Sequence, residues 1–510
     1  VLESVRTQHT SQEPPPPPEE QDAEVDATRL LSDLPDSGTL FKSVSVSGYR
    51  GFSEKATISL AQPNEKPGSG LTIMVGANNS GKSAFLEAIR YLALARTIPE
   101  LSFPETRRNK LNSNVDLALE MNNGDQLRVK SIRRESSLAS GSWESNMAPR
   151  PAVDIQVTAA RRMFNPYTGI RTSSDRDWDL MNQDFSRTRV RDEFVSRLIA
   201  VDRDENKRSR FNELLQRVTG EPLNWAVEQH ADNTWFIKLE GVAGWHTSEG
   251  LGEGLISLLF IVDALYDSRP GSLVVIDEPE QSLHPQLVRR LRDVLSDYSK
   301  DRQILVSTHS PLLIDWSDIR SGATIARVFK DPETSSSAIA QPGSETLQEV
   351  IAFSYLKNRF NPHALGSEAR EAFFLEDGLL LTEGQDDVVH LPLVLKDLGL
   401  DPIENVYGWG AGSASNIPKL VNLFIELGFK RIAVLVDADK QDIVNEVLHD
   451  HPDVVAHAIP APDIRYKKRV KEKDEVIGLL DEKSLTVRPE FREETKEILE
   501  DIATHVAPHS

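Results

Sequence analysis

The chain has 510 residues, 39% hydrophobic and 27% charged, which suits two or three soluble globular domains. No apolar run approaches bilayer-spanning length and no basic segment with an apolar core opens the chain, so neither a membrane anchor nor a secretory signal is expected. The absence of cysteine excludes disulfides and thiolate zinc sites and suits a cytoplasmic protein; the net charge of −21 weighs against nucleic-acid contact without excluding it, because phosphate recognition needs only local Lys and Arg.

Residues 1–38 are rich in Pro and Glu, with an unbroken proline run from Pro14 to Pro18, and read as a disordered arm. Order is expected from residue 41, where alternation over residues 41–46 predicts a strand, followed by Tyr49, Arg50, Gly51 and Phe52. A fully apolar run, Leu71–Val75, then leads into Gly76-Ala77-Asn78-Asn79-Ser80-Gly81-Lys82-Ser83, and a helical pattern follows to about Leu94. Strand, glycine loop and helix in this order make a phosphate cradle. The glycines let backbone N–H groups curl inward, and the helix N-terminus adds partial positive charge. Lys82 would neutralise β/γ oxygens and the Ser83 hydroxyl would take Mg²⁺. Gly76, Asn79, Gly81, Lys82 and Ser83 are therefore candidate nucleotide contacts.

Strands are expected at residues 115–120, 126–132 and 153–157, with polar loops at 107–110 and 133–145. Residues 189–219 have helical periodicity and many charges, among them Arg197, Arg203, Lys207, Arg208 and Arg210; a solvated helical hairpin is the simpler reading and a DNA-contacting arm the other. Gly250, Gly252 and Gly254 precede an apolar helix over residues 255–265 and form an anion nest, redundant with the P-loop unless it serves a second nucleotide. Leu273–Asp277 is a buried strand ending in Asp277 and Glu278, which would hold Mg²⁺ through water and polarise the attacking water. Another strand ends near Ser307, placing His309 at the carboxyl edge of the sheet as a candidate γ-phosphate sensor. Residues 331–344 read as a linker and a helix from Thr346 closes this part.

A second composition begins near Ala372. Residues 378–382 form a strand ending in Glu383 and Gly384; helix resumes through Leu395, with Asp386 and Asp387 on its first turn. A short strand ends at Gly408 and Gly410, a helix covers residues 414–427, and a strand over residues 431–436 ends in Asp437 and Asp439. Carboxylates gathered at one sheet edge suit hard divalent cations. A basic run follows, containing Lys467, Lys468, Lys471 and Lys473; it is either a solvated face or a phosphate track in which one lysine stabilises phosphate charge.

The order of P-loop, glycine-rich signature, Asp277-Glu278, Ser282-Leu283-His284-Pro285 and strand-His309 resembles the ABC-type heads of SMC ATPases. The ordered acids of the last third resemble the TOPRIM domain of topoisomerases, primases and some nucleases. The combination resembles the OLD (overcoming lysogenization defect) nucleases, over about residues 40–490. That resemblance implies an α/β protein with a disordered arm (1–38), an ATPase domain (39–372, helical insertion about 161–220) and a TOPRIM nuclease domain (373–510). It implies ATP bound with Mg²⁺ by Ser83 and Asp277, with Glu278 and His309 in hydrolysis and Gly252 and Gly254 capping a nucleotide held by a second subunit. Glu383 would be the general acid/base, and Glu383, Asp387, Asp437 and Asp439 would bind Mg²⁺ or Mn²⁺ to cut or nick DNA, RNA not being excluded. It further implies a homodimer or higher oligomer and a role in anti-phage defence, and leaves room for a companion defence protein. A nucleotide-gated scaffold that binds without cutting is the alternative.

Overall fold

The computed structural model describes residues 40–95, 100–133, 137–144, 154–158, 192–229, 235–241, 244–247, 253–355, 363, 366–468 and 475–507. The proline-rich arm read from residues 1–38 lies outside them.

Leu71–Val75, Leu273–Asp277 and Gln303–Ser307 are buried at every position, as strands covered on both faces must be. They form the centre of a six-stranded sheet in the order Ser337–Ala340, Thr324–Lys330, Leu71–Val75, Gln303–Ser307, Leu273–Asp277, Ile155–Thr158. All neighbours are parallel except the antiparallel Ser337–Ala340 edge. Asp277 is opposite Ser307, and Ser307 opposite Met74, so the P-loop and the two polar strand ends share one edge.

Side chains alternate between two cores, the period of two that a strand imposes. Met74, Val275 and Leu305 face the P-loop helix Lys82–Ala95, which is buried between this sheet and a six-stranded antiparallel one built on Phe41–Ser47, Asp116–Met121 and Gln126–Ser131. Ile73, Ile276 and Val306 face the other way, toward Glu253–Asp267 and the helices Asp192–Asp202 and Glu205–Thr219. The last two fall within the helical hairpin read from residues 189–219, but it is not a solvated one: Phe194, Leu198, Phe211 and Leu215 are buried in this core, and Arg197 pairs with Asp263. Asp204 caps the second by accepting from the Asn206 and Lys207 N–H groups.

Two expected loops contain strands instead. Leu138–Glu144 pairs with both Gln126–Ser131 and Glu100–Ser102, and Ser337–Ala340 pairs with Thr324–Lys330. Both are rich in Ser and Ala, residues with little β preference, and neighbouring strands rather than composition hold them extended.

In the last third, Leu379–Thr382, Ile432–Val436 and Val455–Ala458 are parallel, and Val406 bridges Leu380 on the opposite side. Ile417–Glu426 and Gln441–Asp450 cover one face; Gln385–Leu398 and Arg492–Val506 cover the other. The chain steps first to one side of Leu379–Thr382 and then to the other. The crevice where it reverses, a usual ligand position in open α/β sheets, lies at the ends that carry Glu383 and Asp437. One hydrophobic core joins this module to the head, running through Trp316, Phe373 and Phe424.

Candidate functional site

The P-loop closes on itself through three residues in the left-handed region: Gly76 (φ 137°), Asn79 (φ 61°) and Gly81 (φ 120°). A side chain at Gly76 would stand 2.1 Å from the Val328 carbonyl oxygen, so only glycine fits there. Lys82 Nζ donates to the Gly76 and Ala77 carbonyl oxygens at 2.8 and 3.0 Å. Burial lowers its pKa to about 8, against the pull of Glu278, Asp277 and Glu280. The Ser307 hydroxyl donates to Asp277. Glu278 occupies a left-handed conformation (φ 46°) that turns its carboxylate to 3.7 Å from His309 Nε2. Burial, then Lys82, depresses the His309 pKa.

Asn79, Gly81, Lys82, Ser83, Glu278 and His309 line a cavity of about 340 Å³, together with Arg50, Lys330 and Ser337. No sequence motif marks those three, nor Glu280, as site residues. Glu280 Oε1 accepts from Thr308 Oγ1 at 2.8 Å and from the His309 N–H at 2.6 Å, pinning the loop that presents His309. Its place two residues beyond Glu278 was the available signal. Arg50 pairs with Glu87 of the P-loop helix at 2.6 Å. Of the signature glycines, Gly252 lies outside the described residues. Gly254 is on the first turn of Glu253–Asp267, where a side chain would stand 2.1 Å from the Ser282 carbonyl oxygen.

The second site occupies the crevice of the last third. Thr382 is opposite Leu435, so Glu383 and Asp437 leave neighbouring strands side by side. Glu383 Oε2 and Asp437 Oδ1 are buried and accept no hydrogen bond. Asp387, on the first turn of the next helix, accepts from the Gly384 N–H at 2.8 Å. The turn at Gly410 (φ 77°) backs this loop so closely that a side chain there would stand 2.7 Å from Gly384 Cα.

Burial raises all three acids. Asp437 reaches about 7, with Asp387 and Glu383 adding repulsion. Asp387 reaches about 6 despite the Gly384 N–H. Glu383 rises too, opposed mainly by Lys440. Lys467 lowers all three and is itself bonded to Asp463. Lys468 pairs with Glu482 instead, and Lys471 and Lys473 lie outside the described residues. Asp439 is turned outward onto Lys440. Among the described residues no three His, Cys, Asp or Glu side chains converge tightly enough to enclose a metal. Two buried carboxylate oxygens without donors nevertheless fit an oxygen-seeking divalent ion.

Residues 159–315 match a family described as "AAA domain, putative AbiEii toxin, Type IV TA system". The Old nuclease of Escherichia phage P2 is 27% identical over 195 residues, which span 37% of this chain and 31% of that relative. Over part of its length the chain is thus similar to an OLD-type ATPase head. Similar solved structures include the SMC head domain from Thermotoga maritima, 16% identical, covering 60% of this chain and 99% of that one with a TM-score of 0.33. They also include a Smc head from Pyrococcus furiosus bound to the C-terminal domain of ScpA, at 13%, 62%, 99% and 0.38. Among the described residues, no helix is long and apolar enough to cross a membrane.

Proposed function

We propose that the chain is an ATP-dependent, metal-requiring endonuclease. Its head binds and hydrolyses ATP as a homodimer, and its last third is a TOPRIM module that nicks or cuts DNA under control of the nucleotide state, in defence against phage. One observation supports the nuclease half above all: the unpartnered oxygens of Glu383 and Asp437 at adjacent strand ends.

Glu383, Asp387 and Asp437, joined by Asp439 once it leaves Lys440, are the residues that would hold Mg²⁺ or Mn²⁺. When bound, the metal supplies an activated water and a counter-charge for the leaving oxygen. Lys467 faces the same acids and orients the phosphodiester by its charge. In the head, Lys82 would exchange the carbonyls of Gly76 and Ala77 for phosphate oxygens, and Ser83 and Asp277 would hold the nucleotide's Mg²⁺. Glu278 orients the attacking water, and His309, fixed through Glu280, faces the terminal phosphate.

The test is plasmid nicking in Mg²⁺ or Mn²⁺, with and without ATP, by wild type, Asp437→Ala and Lys82→Ala. Wild-type nicking no greater than that of Asp437→Ala removes the nuclease reading. A nucleotide-gated scaffold that binds nucleic acid without cutting is the second reading, favoured by the outward turn of Asp439 onto Lys440. It calls for intact DNA under every metal condition with ATP-dependent assembly on a sizing column.

A further inference from the structure

One hairpin borders the nucleotide cavity and the carboxyl-terminal module at once. Its first strand, Thr324–Lys330, lies beside the P-loop strand with Arg327 opposite Val75. Its second, Ser337–Ala340, returns along the sheet edge. On the nucleotide side, the Val328 carbonyl fills the space that a side chain at Gly76 would need, and Ser337 Oγ does the same for Gly51 and Gly81. Lys330 lines the cavity, its Nζ donating to Ser337 Oγ at 3.0 Å. No carboxylate lies within ion-pair distance of Lys330 among the described residues, and the partial desolvation of this otherwise exposed side chain is what lowers its pKa. A cation facing a phosphate cavity without a counter-ion suits an incoming polyphosphate.

Three residues earlier, the same strand grips the module. Arg327 is 1% exposed, with its guanidinium 3.8 Å from the centre of the Phe429 ring. It donates to the carbonyl oxygens of Leu427 (3.1 Å), Leu375 (3.1 Å) and Glu376. Asp331, the residue after Lys330, pairs with Lys430 at 3.2 Å. The segments so held lead directly into Leu379–Thr382 and Ile432–Val436, the strands that end in Glu383 and Asp437. A buried guanidinium cannot drop three carbonyls without a large desolvation cost, so a shift of the hairpin is carried into those segments rather than absorbed at Arg327.

The geometry points to Lys330 as a second phosphate-binding lysine of the head, and to its hairpin as the lever by which bound nucleotide acts on the strands carrying Glu383 and Asp437. This rests on the head pocket being the ATP site, and it goes further in naming the sensor and the route.

Hydrogen exchange on the full chain, with and without Mg²⁺ and the non-hydrolysable triphosphate adenosine 5′-(β,γ-imido)triphosphate, tests it. In wild type the nucleotide should slow exchange in the hairpin and change it at residues 375–377 and 427–431. Lys330→Met should bind this nucleotide roughly tenfold more weakly. At saturating nucleotide it should keep protection of the P-loop but lose the response at 375–377 and 427–431, and Lys330→Arg should restore both properties. Thermal melts of the variants matching wild type show that folding is intact, since Lys330 is exposed. Unchanged affinity in Lys330→Met, or a module response that persists at saturation, overturns the inference. If wild type binds nucleotide but residues 375–377 and 427–431 do not respond, the lever is wrong and the ATP site stands. If wild type does not bind nucleotide, the head reading fails and the inference with it.

Discussion

The two pockets occupy equivalent places, at the carboxyl ends of parallel strands, yet they are finished to different degrees. The head pocket satisfies most of its own groups, although Ser80 Oγ and Glu280 Oε2 are buried without a partner among the described residues: Lys82 is held by its own loop carbonyls, Asp277 by Ser307, and His309 by the Glu280 clamp. The carboxylate pocket does not, because Glu383 and Asp437 each keep a buried oxygen without a donor, and Asp387 adds repulsion. A cation-lined cradle built from backbone can be completed before its ligand arrives. A cluster of like charges cannot, and it stores instability until a counter-charge enters.

That contrast can be broken most directly by removing one charge from each pocket. Asp437→Asn should lower metal-dependent cleavage by two to three orders of magnitude in a plasmid assay, roughly the worth of losing charge stabilisation at the reacting phosphate. Lys82→Met should weaken nucleotide binding by about a hundredfold in a fluorescence titration while leaving any ATP-independent nicking in place. If both variants lose both activities equally, the pockets are not distinct in the way described.

Stability then sharpens the comparison. Without metal, Asp437→Asn should be more stable than wild type by about 1–2 kcal/mol, since it relieves repulsion among buried acids. Saturating Mn²⁺ should raise the wild-type melting temperature and leave that of Asp437→Asn nearly unchanged.

A control for both pockets is Asp318, a buried acid away from either of them, raised to about 6 by burial even though it accepts from Ser296 Oγ at 2.6 Å. Its folded pKa exceeds the unfolded value of 3.8. Its stabilising contribution is therefore complete below that unfolded value and is lost as pH rises through about 6. Asp318→Asn should be the more stable protein at pH 8, by an advantage roughly 1–2 kcal/mol smaller at pH 5, measured by denaturant titration. Mn²⁺ should not alter that difference.

What could be read from the chain was what is local. The P-loop strand, its glycines and its helix are contiguous, and the buried strands before Asp277, Glu383 and Asp437 announce themselves by unbroken apolar runs. Two strands escaped because Ser-rich segments carry no β signal of their own, and Ser337–Ala340 in particular looked like linker. Arg50, Lys330 and Arg327 were invisible as site or interface residues for a related reason. Their partners are Glu87, Ser337 and the carbonyls of Leu427 and Leu375, and no periodicity marks a residue whose meaning lies in a distant carbonyl. The grouping of Lys467 rather than Lys468 with the acids likewise follows from how the chain folds back after Val455–Ala458, not from the basic run itself.

The apolar seam through Trp316, Phe373 and Phe424 has a consequence for how the molecule comes apart. Excising the last third would strip aromatic surface from what remains, so each fragment would be prone to aggregate and would misreport its own chemistry. In a calorimeter the described parts that share this seam should absorb heat in a single endotherm, head and module melting together rather than in sequence.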